Sequence, residues 1–166
     1  MQIEVSMEGV NEIVTSVFET MMDIAISPSE IPWHPAEDRV TASVFLEGEW
    51  NGAISLECSR DQACEFAGHF LSMEPPEAMD DDVRDVLGEL ANIIGGNIKS
   101  AMATSDRLSM PSVIDGSNYE FRICGSEVQN KVAFSFSGGT FWVSLIKKDG
   151  SCLEEAPSSD SSGIAS

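Results

Sequence analysis

Apolar residues recur at two periods along this chain, and the switches between them divide it into elements. Val10, Ile13, Val14, Val17, Phe18, Met21 and Ile24 fall at helical spacing, which predicts a helix over about residues 7–26. Pro28 and Pro32 break the pattern that follows. Val40, Ala42, Val44 and Leu46 alternate with polar neighbours, and Ile54, Leu56 and Cys58 do so again after the turn-rich Gly48-Glu49-Trp50-Asn51-Gly52. Residues 39–58 therefore read as a hairpin. Ser59 with Gln62 forms a capping box and opens a short helix whose buried face carries Ala63, Phe66, Ala67, Phe70 and Leu71. A Pro-rich link, Met73-Glu74-Pro75-Pro76-Glu77, leads into a second long helix over about residues 79–103. Beyond it come an extended piece at 109–116 and alternation at Tyr119, Phe121 and Ile123, at Val132, Phe134 and Phe136, and at Phe141, Val143 and Leu145. Ser137-Gly138-Gly139-Thr140 is a hairpin turn signal.

Strands group with strands here instead of alternating singly with helices. The pattern predicts an α+β domain, a mostly antiparallel sheet packed with two long helices and one short helix. The two strand groups and their preceding helices are similar in length, which leaves a weak internal duplication open. Residues 1–149 make one domain with a sizeable core, given 166 residues that are 42% hydrophobic. From 150 to 166 the composition turns to Ser, Glu, Asp and Pro, which predicts a disordered acidic tail.

Charge and cysteine usage narrow the function. A formal net charge of −19 disfavours nucleic acid and anionic membrane surfaces, whose phosphates it repels. It favours a basic or locally basic protein partner, and it equally serves solubility. No apolar run reaches bilayer length. The start Met1-Gln2-Ile3-Glu4-Val5 lacks a basic stretch followed by an apolar core, so no secretory signal is expected. Cys58, Cys64, Cys124 and Cys152 form no Cys-x-x-Cys pair, and only His34 and His69 could add imidazole ligands, so zinc is not expected. Scattered cysteines without an export signal read as reduced thiols in the cytoplasm. Asp80, Asp81 and Asp82 lack the spacing and the glycine of a calcium loop and suit the positive end of the helix dipole.

The second long helix carries the candidate chemistry. With Val83 as zero and about 100° per residue, Val86, Leu87, Leu90, Ile94 and Ile98 lie within about 60° and must face the core. Glu89, at about 240°, and Asn92, at about 180°, lie on the far side with Asp85, Gly96 and Lys99, and Gly88 and Gly95 lie at its margin. Each helix-interior glycine costs about 1 kcal/mol relative to alanine. Close packing, a helix end at Gly95-Gly96, or close approach of a partner backbone would each account for them. Glu89 and Asn92, three apart, are surface neighbours. The carboxylate can pair with a lysine or arginine of a partner. The carboxamide offers a donor and an acceptor and can hold a water in one orientation. No Ser-His or Cys-His arrangement accompanies them. An ordinary solvated helix face would show the same spacing.

Glu89-Leu90-Ala91-Asn92-Ile93-Ile94-Gly95-Gly96-Asn97 resembles the signature helix of the CheC/CheX-like chemotaxis phosphatases. The Gly48-Glu49-Trp50-Asn51-Gly52 hairpin with Ile54-Ser55-Leu56 resembles the family's strand pair. Met110-Pro111-Ser112-Val113-Ile114-Asp115-Gly116 resembles the extended segment after its long helix. The likeness spans about residues 5–148. It implies dephosphorylation of a response-regulator receiver domain such as phosphorylated CheY. Glu89 would pair with a receiver lysine, and Asn92 would enter the receiver's active site and orient water for attack on the aspartyl phosphate. Asp85, Gly88, Gly96 and Lys99 would line the contact. The chain itself would bind no cofactor; the magnesium ion would belong to the receiver. Double-site members carry the motif on both long helices, whereas here Asn11-Glu12-Ile13-Val14-Thr15 has threonine at the second position. The chain thus resembles the single-site type, with Glu12 outside the chemistry and a homodimer implied by relatives. Two other readings stay open: a receiver-binding adaptor without catalysis, and a subunit in which residues 79–103 form only an oligomer contact.

Overall fold

Each helix starts where a short polar side chain caps it. In the computed structural model, which describes residues 5–32, 34, 36–120, 123 and 125–148, α1 (Met7–Met22) is capped by Ser6, whose hydroxyl accepts from the Gly9 N–H at 3.0 Å. The Ser59/Gln62 capping box opens α2 (Arg60–Leu71) as its spacing requires. Asp80 is the cap of α3 (Asp81–Met102), accepting from Val83 N–H at 2.9 Å, with Asp81 and Asp82 in the first turn. The helix therefore runs unbroken through Gly95 and Gly96. Each helix ends on a left-handed residue: Asp23, Ser72 and Ala103. At Asp23 the chain turns so that Ile24 N–H reaches Phe18 O at 3.2 Å. This stops α1 short of the expected residue 26 while keeping Ile24 buried, so the apolar period outlasts the helix.

The strands are β1 (Ser27–Ser29), β2 (Asp38–Glu47), β3 (Gly52–Ser59), β4 (Arg107–Leu108), β5 (Ser112–Ser117), β6 (Ser126–Phe136) and β7 (Gly139–Lys148). They form one seven-stranded antiparallel sheet in the order β1-β6-β7-β3-β2-β4, with β5 also on β2. The α+β expectation holds. β1 and β4 were not expected, because two or three residues cannot display a period. β4 and β5 act as one edge strand interrupted by a bulge at 109–111: Leu108 faces Leu46 and Ser112 faces Ser43, so three residues oppose two. Ser109 holds the gap, its N–H donating to Phe45 O and its hydroxyl accepting from Phe45 N–H, both at 2.9 Å.

Alternation at Tyr119 and Ile123 produces no strand at those residues; Phe121, expected between them, lies outside the described residues, as does the 150–166 tail. Asn118, at φ 50°, turns the chain. Tyr119 folds over the sheet, its hydroxyl 2.6 Å from Thr41 Oγ1 and its ring 4.3 Å from the Arg39 guanidinium.

All three helices pack on one sheet face. Val40, Ala42, Val44 and Leu46 of β2 join Leu87, Leu90, Ile94 and Ile98 of α3 in a single core. Phe18, Phe66, Phe134 and Phe141 knit α1 and α2 to β6 and β7, with Phe18 stacked 4.8 Å from Phe141. The opposite face is mixed and largely buried: Arg39 pairs with Glu57 at 3.6 Å, beside Thr41, Ser43, Ser55 and Ser144, with Ala53, Ala133, Trp142 and Ile146 among them. Cys58 and Cys64 are buried free thiols. Desolvation pushes Cys58 far above the usual thiol range, so it is inert. No helix among the described residues is long and apolar enough to cross a membrane.

Candidate functional site

The buried arc of α3 is wider than its apolar stripe and extends toward the glycines. A Cβ at Gly95 would stand 2.6 Å from Val44 Cγ2 and 3.4 Å from Leu108 Cδ1. A Cβ at Gly88 would stand 3.3 Å from Pro111 Cγ. These two glycines let the helix settle against β2 and the edge strand, which is the packing explanation. Gly88, expected to line a partner contact, is instead buried beneath the bulge, since an absent side chain there is what admits Pro111. Gly96 differs: a Cβ there would meet nothing within 4 Å. Asp85 and Glu89 are exposed, and Asn92, Gly96 and Lys99 are half-buried.

Glu89 and Asn92 thus stand together on the open side of a rigid rod. Among the described residues neither side chain takes a hydrogen bond or ion pair from this chain. The surroundings of Asn92 are unusual. Its helical neighbours at i−4, i+3 and i+4 are Gly88, Gly95 and Gly96, and at i−3 is Glu89. Glu89 is therefore the only side chain that borders the amide along the helix. The amide rises from the shoulder where α3 meets the edge strand, with both its donor and its acceptor unspent.

Both ends of α3 are pinned. Past its C-terminus, Asp106 is 1% exposed and its carboxylate accepts from the N–H groups of Glu49, Trp50 and Asn51 in the β2–β3 turn, and from Thr104 Oγ1 at 2.5 Å. Burial by itself would raise the Asp106 pKa. The Thr104 hydroxyl and the three backbone donors together outweigh it and hold the carboxyl below its ordinary value. Near the N-terminal end, Asp115 of β5 pairs with Arg60 of α2 at 2.7 Å and with Arg84 of α3 at 3.6 Å. Neither pin was foreseen. Asp106 and its turn lie more than fifty residues apart in sequence, and an isolated aspartate carries no signal of such a partner.

The other candidates of the sequence lead elsewhere. His69 Nδ1 lies 3.1 Å from Met22 O, at the junction of α2 and α1. His34 lines a cavity of about 250 Å³ with Arg39, Glu57 and Trp142 on the far side of the sheet. A cavity of about 620 Å³ lies between α1, β1 and β6. Neither contains a residue of α3. Among the described residues, no group of three or more His, Cys, Asp or Glu is placed to hold a metal ion.

Comparison with known proteins bears on the family and the fold. The family model described as chemotaxis phosphatase CheX matches residues 40–136. Comparison with curated protein sequences gives no match. Among solved structures, the chain is similar to chemotaxis protein CheX from Desulfovibrio desulfuricans, with 25% identity, a TM-score of 0.70, and 84% of this chain and 96% of that one covered. It is similar in fold to CheX from Vibrio vulnificus, with 20% identity, a TM-score of 0.71, and coverage of 86% and 95%. It also shares the fold of the Borrelia burgdorferi CheX–CheY–BeF3–Mg complex, with 22% identity, a TM-score of 0.70, and coverage of 89% and 100%.

Proposed function

The chain belongs to the CheX family of chemotaxis phosphatases, and from that premise we propose that it hydrolyses the aspartyl phosphate of a CheY-like receiver domain. The carrying observation is the unpartnered Asn92 amide, set among three glycines beside the exposed Glu89 carboxylate. The similar fold of a CheX–CheY–BeF3–Mg complex points to the partner class. Glu89 pairs with a receiver lysine and sets the register. Asn92 enters the receiver's pocket, where its carbonyl accepts from a water and its NH2 donates, holding that water in line with the phosphorus. Water attacks, the bond from phosphorus to the aspartyl oxygen breaks, the receiver's carboxylate is regenerated and inorganic phosphate carries away the water's oxygen and protons. Magnesium held on the receiver would meet the charge on the phosphoryl group. Catalysis of this type is positioning and electrostatics, which is why a pinned helix with one bare amide suffices.

Asp85, Gly96 and Lys99 complete the contact in this reading, and Gly88 drops out of it. A cytoplasmic setting and a homodimer belong to the same proposal; mass in solution tests the latter. The direct test is the lifetime of a phosphorylated receiver from the same organism, with and without the protein. Shortening by the wild type and not by Asn92→Ala supports the reading; equal shortening by both overturns it. Binding that leaves the lifetime unchanged would make the protein an adaptor.

A further inference from the structure

We infer that Met110 is the apolar anchor that seats the receiver domain against α3, a specificity contact that rests on the reading of α3 as the docking face. Met110 is 86% exposed, far beyond the other large apolar residues described, of which Val128 at 54% is next. Its place in the fold is what gives it meaning. Gly88 of α3 lies against Pro111, and Gly95 lies against Leu108. Helix and edge strand therefore run past one another, and residues 109 and 110 stand abreast of the turn between those glycines. Asn92 is in that turn, about 6 Å along the axis from Gly88 at ~1.5 Å per residue. Residue 110 of the edge strand thus runs alongside the helix segment that carries Asn92, and Glu89 lies one turn before Asn92 on the helix itself.

The mount under Met110 is rigid. The Ser109 hydroxyl accepts from Phe45 N–H at 2.9 Å and donates to Met110 O at 3.0 Å. Pro111 has a fixed φ and is seated on Gly88. A stiff bulge locked on both sides carries at its tip an unbranched thioether that its own molecule does not bury. Methionine suits contact with irregular apolar surfaces. Charge selects the occupant: Asp85 and Glu89 line the same ridge, so the matching surface has a basic group at the phosphate pocket and an apolar patch beside it. A second copy of this acidic chain would bring carboxylates against carboxylates.

The experiment uses the full chain and the receiver domain activated with beryllofluoride and magnesium. Binding is titrated for wild type, Met110→Ser, Met110→Leu and Asn92→Ala, and KM and kcat are measured on the phosphorylated receiver. Met110→Ser is expected to raise Kd and KM about tenfold, as loss of one buried apolar side chain does, with kcat unchanged. Met110→Leu is expected to stay within about threefold of wild type because volume and apolarity are kept. Asn92→Ala is expected to do the reverse, lowering kcat with little change in Kd. Wild-type Kd and KM in Met110→Ser would overturn the anchor and leave the phosphatase reading standing. Unchanged receiver binding with lost self-association would assign Met110 to a second copy and equally overturn it. Unchanged kcat in Asn92→Ala would overturn the catalytic reading and leave the anchor standing. No binding of the activated receiver by the wild type would remove both.

Discussion

The two long helices carry the same outline and differ in what surrounds it. On α1, Glu12 is exposed and Thr15, three residues on, is half-buried; on α3, Glu89 is exposed and Asn92 is half-buried. Spacing and exposure match. The neighbours do not. Thr15 has Asn11, Phe18 and Glu19 at i−4, i+3 and i+4, whereas Asn92 has three glycines. Threonine offers one hydroxyl on a stiff β-branched stem, while asparagine offers a donor and an acceptor on separate atoms. On the proposed reading, an acid and a polar residue at i, i+3 are thus not enough for a site: the polar group has to be a water-holding amide, and the helix around it stripped so that another protein can close over it.

The sharpest way to break this comparison is to remove each polar group in turn. Asn92→Ala should slow receiver dephosphorylation on the order of 10²-fold or more, by analogy with loss of other preorganised donors, while Thr15→Ala should leave the rate unchanged. Equal effects at both positions would dissolve the distinction between the helices.

The next largest effect concerns the pin on α3. Asp106→Asn places an NH2 where the carboxylate meets backbone donors and should cost about 1–3 kcal/mol of stability at neutral pH, read by urea unfolding. Because the folded carboxyl sits below its ordinary value of 3.8, its stabilisation is present above 3.8 and is lost as the pH falls through the folded value. The gap between wild type and variant should therefore narrow in strong acid. A gap that widened there would reverse the sign of the argument.

Smaller effects sharpen the picture of the open face. Glu89→Lys should weaken receiver binding about tenfold by setting like charges together, whereas Glu12→Lys should not. Gly96→Gln fills space that is empty in this chain. It should stabilise the helix by a few tenths of a kcal/mol, up to about 1, yet lower phosphatase activity several-fold. A more stable protein with undiminished activity would show that nothing approaches α3 at Gly96.

Short-range pattern was enough for the order of most elements, the capping box at Ser59, the acidic first turn of α3, its apolar stripe and the outward aim of Glu89 and Asn92. These are consequences of short-range periodicity and of backbone groups satisfied within four residues. That Asp80 is the cap itself came from the structure. Tertiary structure alone decided which glycine is open and which is packed, since Gly88 and Gly96 look alike along the chain and differ only in having Pro111 or solvent opposite. It likewise made a broken edge strand of 107–117, laid Tyr119 across the sheet and buried Asp106 under a distant turn. Gly88 and Pro111 lie more than twenty positions apart and the other three outcomes join residues more than fifty apart, where the energy of a contact depends on geometry that no local pattern encodes.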